Sequence, residues 1–291
     1  MDIVRFKSGL GNQMFQYAFY QALRSRERCV KANLGYYSKH PEKMRFSLTE
    51  VFPQISLEYI SDEEFEIIDS EWRRIKENES KLDIFLGDYK NRFFWVEEKG
   101  FCYHPEVFET QNCTFVGYWQ SEKYFQGLRD ILLKDFYFAY GEKKLEDLCN
   151  KILLGDQYVS VHIRRGDYLN NPKVWGALSQ SNYYINSICF MKEKIGTPQI
   201  VFFSDDIQWV KQKYHYENAI YIEESMFDSY QSWYDMRLMS CCSHNIIANS
   251  SFGWWGAWLN KNENKIVIAP AKWTFDGRIQ KDICPSDWIR L

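Results

Sequence analysis

Short runs of β-branched and aromatic residues recur along the chain, and longer amphipathic stretches separate them. The runs end in Gly, Asn, Ser or Asp, as strands do where a loop begins. Such runs predict strands at residues 3–6, 114–117, 158–163, 200–203, 219–222, 244–248 and 265–269. The amphipathic stretches predict helices at residues 12–27, 122–136, 143–153, 182–195 and 229–240. This alternation predicts an α/β fold with parallel sheets covered by helices on both faces.

The regularity of the pattern changes along the chain. Between residues 158 and 270 the predicted strands and helices follow one another closely, whereas between residues 34 and 103 they are irregular, with a polar helical stretch at 61–81. A length of 291 residues suits two domains of ordinary size. We therefore expect one domain at residues 1–153 and a second at 154–291.

Composition and charge exclude several classes of protein. The chain has 36 Lys and Arg against 39 Asp and Glu, which argues against a nucleic-acid partner. Its 8 Cys lack the spacing of metal ligands, and we expect reduced thiols. Neither a signal peptide nor an apolar run of the roughly 18 to 20 residues that span a membrane is visible. We expect a cytoplasmic protein with at most peripheral membrane association. An aromatic content of 18% leaves rings available for ligand stacking.

The first candidate segment follows the strand at 3–6 and opens the helix at 12–27. Gly9 and Gly11 permit close backbone approach, and the start of a helix offers N–H groups to an anion such as pyrophosphate. Met14 stands where a dinucleotide-binding fingerprint needs its third glycine. A tight strand-to-helix turn is an equally good interpretation of this segment.

The second candidate segment reads His-Ile-Arg-Arg-Gly-Asp-Tyr and ends the strand at 158–163. Alternation along a strand turns His162 and Arg164 to one face, and Arg165 begins the following turn. Guanidinium groups bind phosphate through paired N–H groups, so this pattern predicts a phosphate site. The alternative is a cluster of salt bridges with neighbouring carboxylates.

Two further strand ends carry polar side chains. In the Ser-Asp-Asp sequence at 204–206, Ser204 or Asp205 caps the helix that follows, or the segment accepts hydrogen bonds from a base or ribose. It lacks a nearby third ligand for a divalent metal ion. The Asn-Ser-Ser sequence at 249–251 offers hydroxyl and amide groups to phosphate oxygens, and three Trp follow within 254–258. Core packing is the ordinary role of such rings.

Together these segments resemble family 11 of the glycosyltransferases, the α-1,2-fucosyltransferases of bacterial type. The sequence at 9–18 resembles the N-terminal signature of the family, and residues 162–168 resemble its HxRRGDY motif. Residues 172–175, 203–206 and 249–258 resemble other motifs of the family. The resemblance extends over the whole chain.

This resemblance implies a GT-B fold, in which two Rossmann-like halves with parallel sheets face a central cleft. Residues 1–153 would form the acceptor side, and residues 154–291 would bind GDP-fucose. The implied reaction is the inverting transfer of L-fucose from GDP-β-L-fucose to the 2-hydroxyl of a terminal galactoside, on an oligosaccharide or glycolipid. No cofactor and no metal ion are expected, because the arginines neutralise the pyrophosphate. A bacterial cytoplasmic enzyme that builds a surface polysaccharide such as an O-antigen fits this description.

The resemblance also assigns site residues. Donor binding is expected from Gly11, Asn12, Gln13, His162, Ser204, Asp205, Asp206, Asn249, Ser250, Ser251 and Phe252. Catalysis is expected from Arg164, Arg165 and Asp167. The resemblance says less about the acceptor site, for which the candidates are Tyr17, Tyr20, Lys173, Trp175 and Trp254, with core packing the default role of each. Asp167 is the nearest candidate for a general base, with Glu122 and Asp235 as alternatives, although pairing with an arginine explains Asp167 at least as well.

Three other functions remain open at this point. Another GDP-sugar transferase would share the same motifs. A dinucleotide-dependent oxidoreductase would use the glycine loop, and a non-catalytic sugar-binding protein would use the aromatic residues, but the arginine cluster argues against both. We expect alanine at Arg164 or Arg165 to nearly abolish transfer and to leave the fold intact.

Overall fold

The computed structural model describes residues 1–39, 41, 44–78, 94–97, 100–155 and 157–291, and it describes the side chains of all of these except 71–78 and 94–97. The chain forms two compact units. The first unit contains Met1–Tyr137 and Lys281–Ile283, and the second contains Phe138–Gln280 and Cys284–Leu291. Of the polar stretch predicted at 61–81, the structure shows a helix at Asp62–Asn78, and residues 79–81 lie outside the described part.

The first unit has a four-stranded sheet with helices between its strands. Its elements are β1 (Asp2–Arg5), α1 (Leu10–Arg24), β2 (Val30–Asn33), α2 (Gly35–Lys39), α3 (Leu48–Val51), α4 (Asp62–Asn78), β3 (Phe94–Glu97), β4 (Cys113–Val116) and α5 (Arg129–Asp135), with 3₁₀ turns at Pro105–Phe108 and Glu122–Phe125. The strand order is β2-β1-β4-β3, and every pair is parallel. Ile3 lies opposite Lys31 on one side and Thr114 on the other.

The second unit has a six-stranded sheet. Its elements are α6 (Lys143–Leu154), β5 (Tyr158–Ile163), α7 (Gly166–Asn170), α8 (Pro172–Trp175), α9 (Tyr183–Ile195), β6 (Gln199–Ser204), α10 (Ile207–Lys213), β7 (Ile220–Tyr221), α11 (Trp233–Cys241), β8 (His244–Ile246), α12 (Ser251–Trp258), β9 (Val267–Ala269) and β10 (Ile289–Arg290), with 3₁₀ turns at Leu178–Gln180 and Glu224–Met226. The strand order is β10-β9-β8-β5-β6-β7, again with every pair parallel. The central strand β5 is buried at all its positions, which is why it reads as a nearly continuous apolar run.

The predicted α/β fold with parallel sheets is confirmed in both units, but the boundary between them differs from the predicted one. It lies before α6, between Tyr137 and Phe138, and not after that helix. The reason is that α6 packs in the second unit, where Leu145 and Ile152 are buried and Glu146 forms an ion pair of 2.7 Å with Arg237 of α11. An amphipathic helix can be read from sequence, but the sheet that it covers cannot.

The helix predicted at 122–136 is interrupted in the structure. A 3₁₀ turn at Glu122–Phe125 is followed by Gly127, whose φ of 88° belongs to the left-handed region that glycine adopts most readily. The α-helix therefore begins only at Arg129. The strands β3 and β10, which were not predicted, are edge strands of two to four residues, and so short a run carries little periodic signal.

Candidate active site

The candidate residues of the second unit gather where its strand order reverses. From β5 the chain continues to β6 and β7 on one side, whereas β8, β9 and β10 lie on the other side, so β5 and β8 flank the reversal. Loops diverge at such a switch point, and ligands of open parallel sheets bind beyond the carboxyl ends of the two strands. The arginine segment follows β5, and the Asn-Ser-Ser segment precedes α12 after β8.

Arg164 is the partly exposed cation at this switch point. Its side chain is 36% exposed and is held by two carboxylates: Nη2 lies 2.6 Å from Asp167 Oδ1, and Nη1 lies 3.1 Å from Asp205 Oδ2. The salt-bridge alternative is therefore the arrangement that the structure shows. A guanidinium that is bound by exposed carboxylates can exchange them for phosphate oxygens, because both anions suit its paired N–H groups.

Arg165 has a different environment. Its guanidinium carbon lies 3.5 Å from the centroid of the Trp209 ring, and its Nε forms an ion pair of 2.9 Å with Asp206. Its Nη1 also donates to Ser179 Oγ at 3.4 Å. With its side chain only 11% exposed, Arg165 packs α10 against the turn that follows β5. The expectation that alanine here leaves the fold intact is not supported by these contacts.

The Ser-Asp-Asp segment after β6 organises that turn. Asp205 Oδ1 accepts from the backbone N–H of Arg165 at 2.9 Å. Asp206 caps α10, since its Oδ1 accepts from Trp209 N at 3.3 Å, and Ser204 Oγ accepts from Asp206 N at 3.1 Å. The cap of α10 is therefore Asp206 and neither Ser204 nor Asp205, the two residues that the sequence offered for this role, while Asp205 connects β6 to the arginine turn.

His162 is a buried, neutral side chain beside the start of α12. Burial, together with the charge of Arg164, lowers its pKa to about 3. Its Nδ1 is buried without a hydrogen-bond partner, and its ring lies 6.0 Å from the ring of Phe252. Ser251 begins α12 and is partly exposed. A buried nitrogen without a hydrogen-bond partner is rare in native structures, and a catalytic role or a bound water or ion is the usual explanation.

Tyr168 joins the two segments of the switch point. Its hydroxyl donates to the backbone oxygen of Asn249 at 2.9 Å. Asn249 is buried and uses its Nδ2 to donate to the backbone oxygens of Trp175 and Trp273. Its amide nitrogen therefore fixes the surrounding loops and is not available to a ligand, whereas its Oδ1 is buried without a partner.

Three of the candidate acceptor residues lie in the second unit, in unequal environments. Lys173 is exposed, and the partly exposed Trp175 stacks on Tyr168 with a centroid distance of 4.7 Å and an interplanar angle of 12°. Trp254 is fully buried, with its ring centroid 4.9 Å from that of Trp255 and 5.3 Å from that of Trp288. A ring without an exposed face cannot stack on a sugar, so the structure contradicts the acceptor assignment of Trp254.

The glycine segment of the first unit also contains a residue with a structural role. Gln13 is fully buried, and its Nε2 donates to the backbone oxygens of Ser8 and Arg45. Its Oε1 accepts from the backbone N–H groups of Ser47 and Leu48. Because its amide is satisfied by backbone, the donor-binding prediction for Gln13 is not supported.

The neighbouring residues of that segment differ from Gln13. Gly11 is buried in the first turn of α1, and Asn12 is partly exposed, with its Oδ1 accepting from Gln120. Gln16, one helical turn after Asn12, is also fully buried. Its Oε1 accepts a hydrogen bond from Lys7 N and its Nε2 donates to Gly117 O, so its amide fixes the loop that follows β1. Of the residues predicted in this segment, Asn12 retains a side chain within reach of a ligand.

Sequence reasoning assigned no role to Tyr168, Trp209 or Gly253. Tyr168 belongs to the motif at 162–168 that contains both arginines, and this position could have identified it as a site residue. A Cβ atom on Gly253 would lie 2.5 Å from His162 Nδ1, but no helix was predicted around this glycine, so the sequence did not mark it as a point of close approach. For Trp209, on a separate helix, the sequence contains no signal that would pair it with Arg165.

Within the described residues, no three His, Cys, Asp or Glu side chains are grouped as metal ligands are. No helix in that part of the chain is both long and apolar enough to cross a membrane. The eight cysteines are free thiols.

Solved structures show the class of the fold. A structure of Arabidopsis thaliana FUT1 in complex with GDP matches 98% of this chain and 74% of that chain, with a TM-score of 0.50 and 14% sequence identity. With its two parallel-sheet units, the protein has a fold of GT-B type.

The sequence identifies the family. The profile described as "Glycosyl transferase family 11" matches residues 1–291. The chain therefore belongs to glycosyltransferase family 11, as the motifs predicted. It is 32% identical to the "Alpha-1,2-colitosyltransferase" of Escherichia coli, over 99% of this chain and 98% of that one. It is also 32% identical to the "O-antigen biosynthesis glycosyltransferase WbnK" of Escherichia coli, over 97% and 98%. The "Galactoside 2-alpha-L-fucosyltransferase SEC1" of Bos taurus is 26% identical, over 88% of this chain and 63% of that one.

Proposed function

We propose that the protein transfers L-fucose from GDP-β-L-fucose to the 2-hydroxyl of a terminal galactoside, with inversion at the anomeric carbon. The observation that carries this proposal is Arg164, a partly exposed guanidinium at the switch point of the second unit. Membership of family 11 supports a glycosyltransferase reaction, the name of the bovine relative supports the sugar and the linkage, and the name of the colitosyltransferase supports the α-1,2 linkage. The sugar-binding and oxidoreductase alternatives have no comparable support.

The chemistry follows from the leaving group. Cleavage of the bond between the anomeric carbon and the β-phosphate oxygen leaves additional negative charge on GDP, and a group that binds this charge more strongly in the transition state accelerates the reaction. Arg164 provides such a group. The backbone N–H groups at the start of α12 are further groups of this kind. They come before Trp254 N, whose hydrogen bond to Ser250 O is the first of that helix.

The acceptor hydroxyl must lose its proton as it attacks. In this proposal Asp167 takes the proton, because the movement of Arg164 from Asp167 to phosphate frees that carboxylate. Asp235 is the alternative base in the same unit, since burial raises its pKa to about 7. Glu122 is the third candidate and belongs to the first unit. The proposed reaction uses no metal ion and no cofactor.

A second donor is favoured by a specific observation. One relative that matches nearly the whole chain is named as a colitosyltransferase. Colitose is L-fucose without its 3-hydroxyl, so a site for one sugar accommodates the other with the loss or gain of a single hydrogen-bonding group. We therefore propose GDP-colitose as the alternative donor. The O-antigen relative supports a bacterial cytoplasmic location and a surface-polysaccharide acceptor.

One experiment tests donor, acceptor and linkage together. The protein is incubated with GDP-fucose or GDP-colitose and a panel of β-galactosides, and NMR of the product gives the linkage position and the anomeric configuration. An α-1,2-linked product from GDP-fucose supports the main proposal. A product from GDP-colitose alone supports the second donor. A β-linked product, or a linkage to another hydroxyl, would contradict the proposal.

A further inference from the structure

Two cysteines are neighbours where α6 packs against α11 in the second unit. The ion pair of 2.7 Å between Glu146 of α6 and Arg237 of α11 fixes the alignment of the two helices. Cys149 follows Glu146, and Cys241 follows Arg237, by about one helical turn in each case, so both thiols lie on the faces that the ion pair joins. Each of the two thiols shifts the pKa of the other, as groups in close contact do. We call Cys149 and Cys241 the dithiol.

The two thiols have unequal environments. Cys149 is buried, whereas Cys241 is partly exposed. Interaction with the Cys149 thiol lowers the pKa of Cys241, and the charge of Arg237 lowers it further, against the opposing effect of burial. Interaction with Cys241, together with burial, raises the pKa of Cys149. Because the thiolate is the nucleophilic form of cysteine, Cys241 is the more reactive member of the dithiol.

Arg237 is held in place beside the dithiol by both helices and by the segment that precedes α6. Its Nη2 donates to Glu146 Oε2 at 2.7 Å, and its Nη1 donates to the backbone oxygen of Tyr140 at 3.1 Å. A Cβ atom on Gly141 would lie 2.6 Å from Arg237 Nη1, so the glycine leaves room for the guanidinium. A cation that is fixed beside a thiol stabilises the thiolate at neutral pH.

The adjacent Cys242 has a different environment. It is buried, and its Sγ donates to the backbone oxygen of Leu238 at 3.4 Å. Burial raises its pKa well above the ordinary value of a thiol. A buried thiol of this kind is a packing group and not a nucleophile. Cys242 therefore serves as a matched control for Cys241, its neighbour in sequence.

We propose that the dithiol is an oxidation site, at which a peroxide forms a disulfide between α6 and α11. The Cys241 thiolate attacks one oxygen of hydrogen peroxide, the O–O bond breaks, and hydroxide leaves and takes up a proton to give water. Cys241 is then a sulfenic acid. The sulfur of Cys149 attacks the sulfur of this group, the S–O bond breaks, and the leaving hydroxide takes the proton of Cys149 to give a second water. The two thiols lose two electrons, which the peroxide gains.

Cys149 determines whether the oxidation of Cys241 can be reversed. A sulfenic acid that meets no second thiol is oxidised further to a sulfinic acid, which thiols do not reduce. A disulfide, in contrast, is opened by exchange with another thiol. The buried thiol next to Cys241 therefore keeps the oxidation reversible. This property of the second unit does not depend on the proposed transfer reaction.

Peptide mapping of the full chain tests the disulfide. The reduced protein is treated with an equimolar amount of hydrogen peroxide, free thiols are blocked with N-ethylmaleimide, and tryptic peptides are analysed by mass spectrometry without reduction. We expect peptide 145–151, which contains Cys149, to be joined to peptide 238–261, which contains Cys241 and Cys242, until dithiothreitol separates them. Cys242→Ser should keep this cross-link, and Cys241→Ser should abolish it. A wild-type protein without the cross-link, or a cross-link that persists in Cys241→Ser, would overturn the proposal.

Two further sets of variants test the roles of the neighbours. In Cys149→Ser, peroxide should convert Cys241 to a sulfinic acid, seen as the addition of two oxygen atoms that dithiothreitol does not remove. Arg237→Gln should slow disulfide formation at neutral pH about tenfold, the effect of raising a thiol pKa by one unit, whereas Arg237→Lys keeps the charge and should slow it less. Equal rates in Arg237→Gln and the wild-type protein, or a Cys241 that stays reduced in Cys149→Ser, would contradict the assignment of Cys241 as the attacking thiol.

Discussion

In the second unit, His162 and Gly253 are in direct contact, and a Cβ atom on Gly253 would lie 2.5 Å from His162 Nδ1. The absence of a side chain at this one helical position lets a neutral imidazole lie against the first turn of α12. The contact connects the end of β5 to the helix that follows β8, and so it joins the two sides of the switch point.

Gly253→Ala should therefore displace the ring or the helix. We expect a loss of about 1–3 kcal/mol in the free energy of unfolding, as for other overpacked sites, and a weaker rise in melting temperature on addition of GDP. Denaturant unfolding and thermal shift measure the two effects. The control is a double-mutant cycle with His162→Ala. Without the ring, Gly253→Ala should cause little further loss, and equal effects in both backgrounds would refute the contact.

Replacement of Arg164 and of Arg165 should have different consequences. Arg164→Ala should lower kcat/KM on the order of 10²-fold and leave the melting temperature nearly unchanged, because the side chain is partly exposed and serves the leaving group. Arg165→Ala should instead lower the free energy of unfolding by about 1–2 kcal/mol, because it breaks the ion pair with the partly exposed Asp206 and removes the contact with Trp209. Steady-state kinetics and denaturant unfolding of both variants measure the two effects. Equal losses in the free energy of unfolding would contradict the predicted difference between the two arginines.

Gln13 and Asn12 are adjacent in sequence, and their replacement should separate structure from function. Gln13→Leu should lower the free energy of unfolding by about 3 kcal/mol, since it leaves the backbone groups that bind the amide without partners. Asn12→Ala is the matched variant and should change stability by about 1 kcal/mol or less while it impairs transfer. Urea unfolding measures the first effect. A stable Gln13→Leu protein would show that the amide is not structural.

The low pKa of His162 predicts a loss of stability in acid. The unfolded chain takes up a proton on this residue as the pH falls through 6.5, whereas the folded chain does so only near pH 3, so acid favours the unfolded state between these values. Compared with His162→Gln, the wild-type protein should lose about 1.4 kcal/mol more for each pH unit below 6.5. Urea unfolding of both proteins at pH 7.5, 5.5 and 4.5 tests this. A constant difference between them would contradict it.

Removal of metal ions should not change the reaction. The charge that develops on GDP is balanced in this proposal by Arg164 and by the start of α12, so transfer in excess EDTA should proceed at the rate measured without it. The measurement is the rate of product formation from GDP-fucose and lactose, after the protein has been dialysed against EDTA. Activity that falls and returns only with Mg²⁺ or Mn²⁺ would show that a metal ion takes part.

The prediction of the fold succeeded where the pattern was long and local. The strand at 158–163 was predicted with the observed bounds, because a central parallel strand is apolar throughout. The polar segments after β5 and after β8 lie together at the switch point of the second unit, as the carboxyl ends of neighbouring parallel strands must, whereas the roles predicted for their residues stay predictions. The prediction was wrong for Trp254, since a sequence of three Trp near a phosphate-like motif does not reveal which face of the helix is buried.

The amino-acid sequence by itself determined the α/β fold, the family, and which strand ends carry polar chemistry, because strand periodicity and motif spacing are local properties of the chain. Only the tertiary structure decided how those groups are used. Arg164 and Arg165 are neighbours in sequence, yet one is partly exposed between carboxylates and the other is packed on Trp209. That difference depends on Asp205, Asp206 and Trp209, which approach the arginines only when β5 and β6 pair. Such contacts between distant segments are set by packing, and no local pattern encodes them.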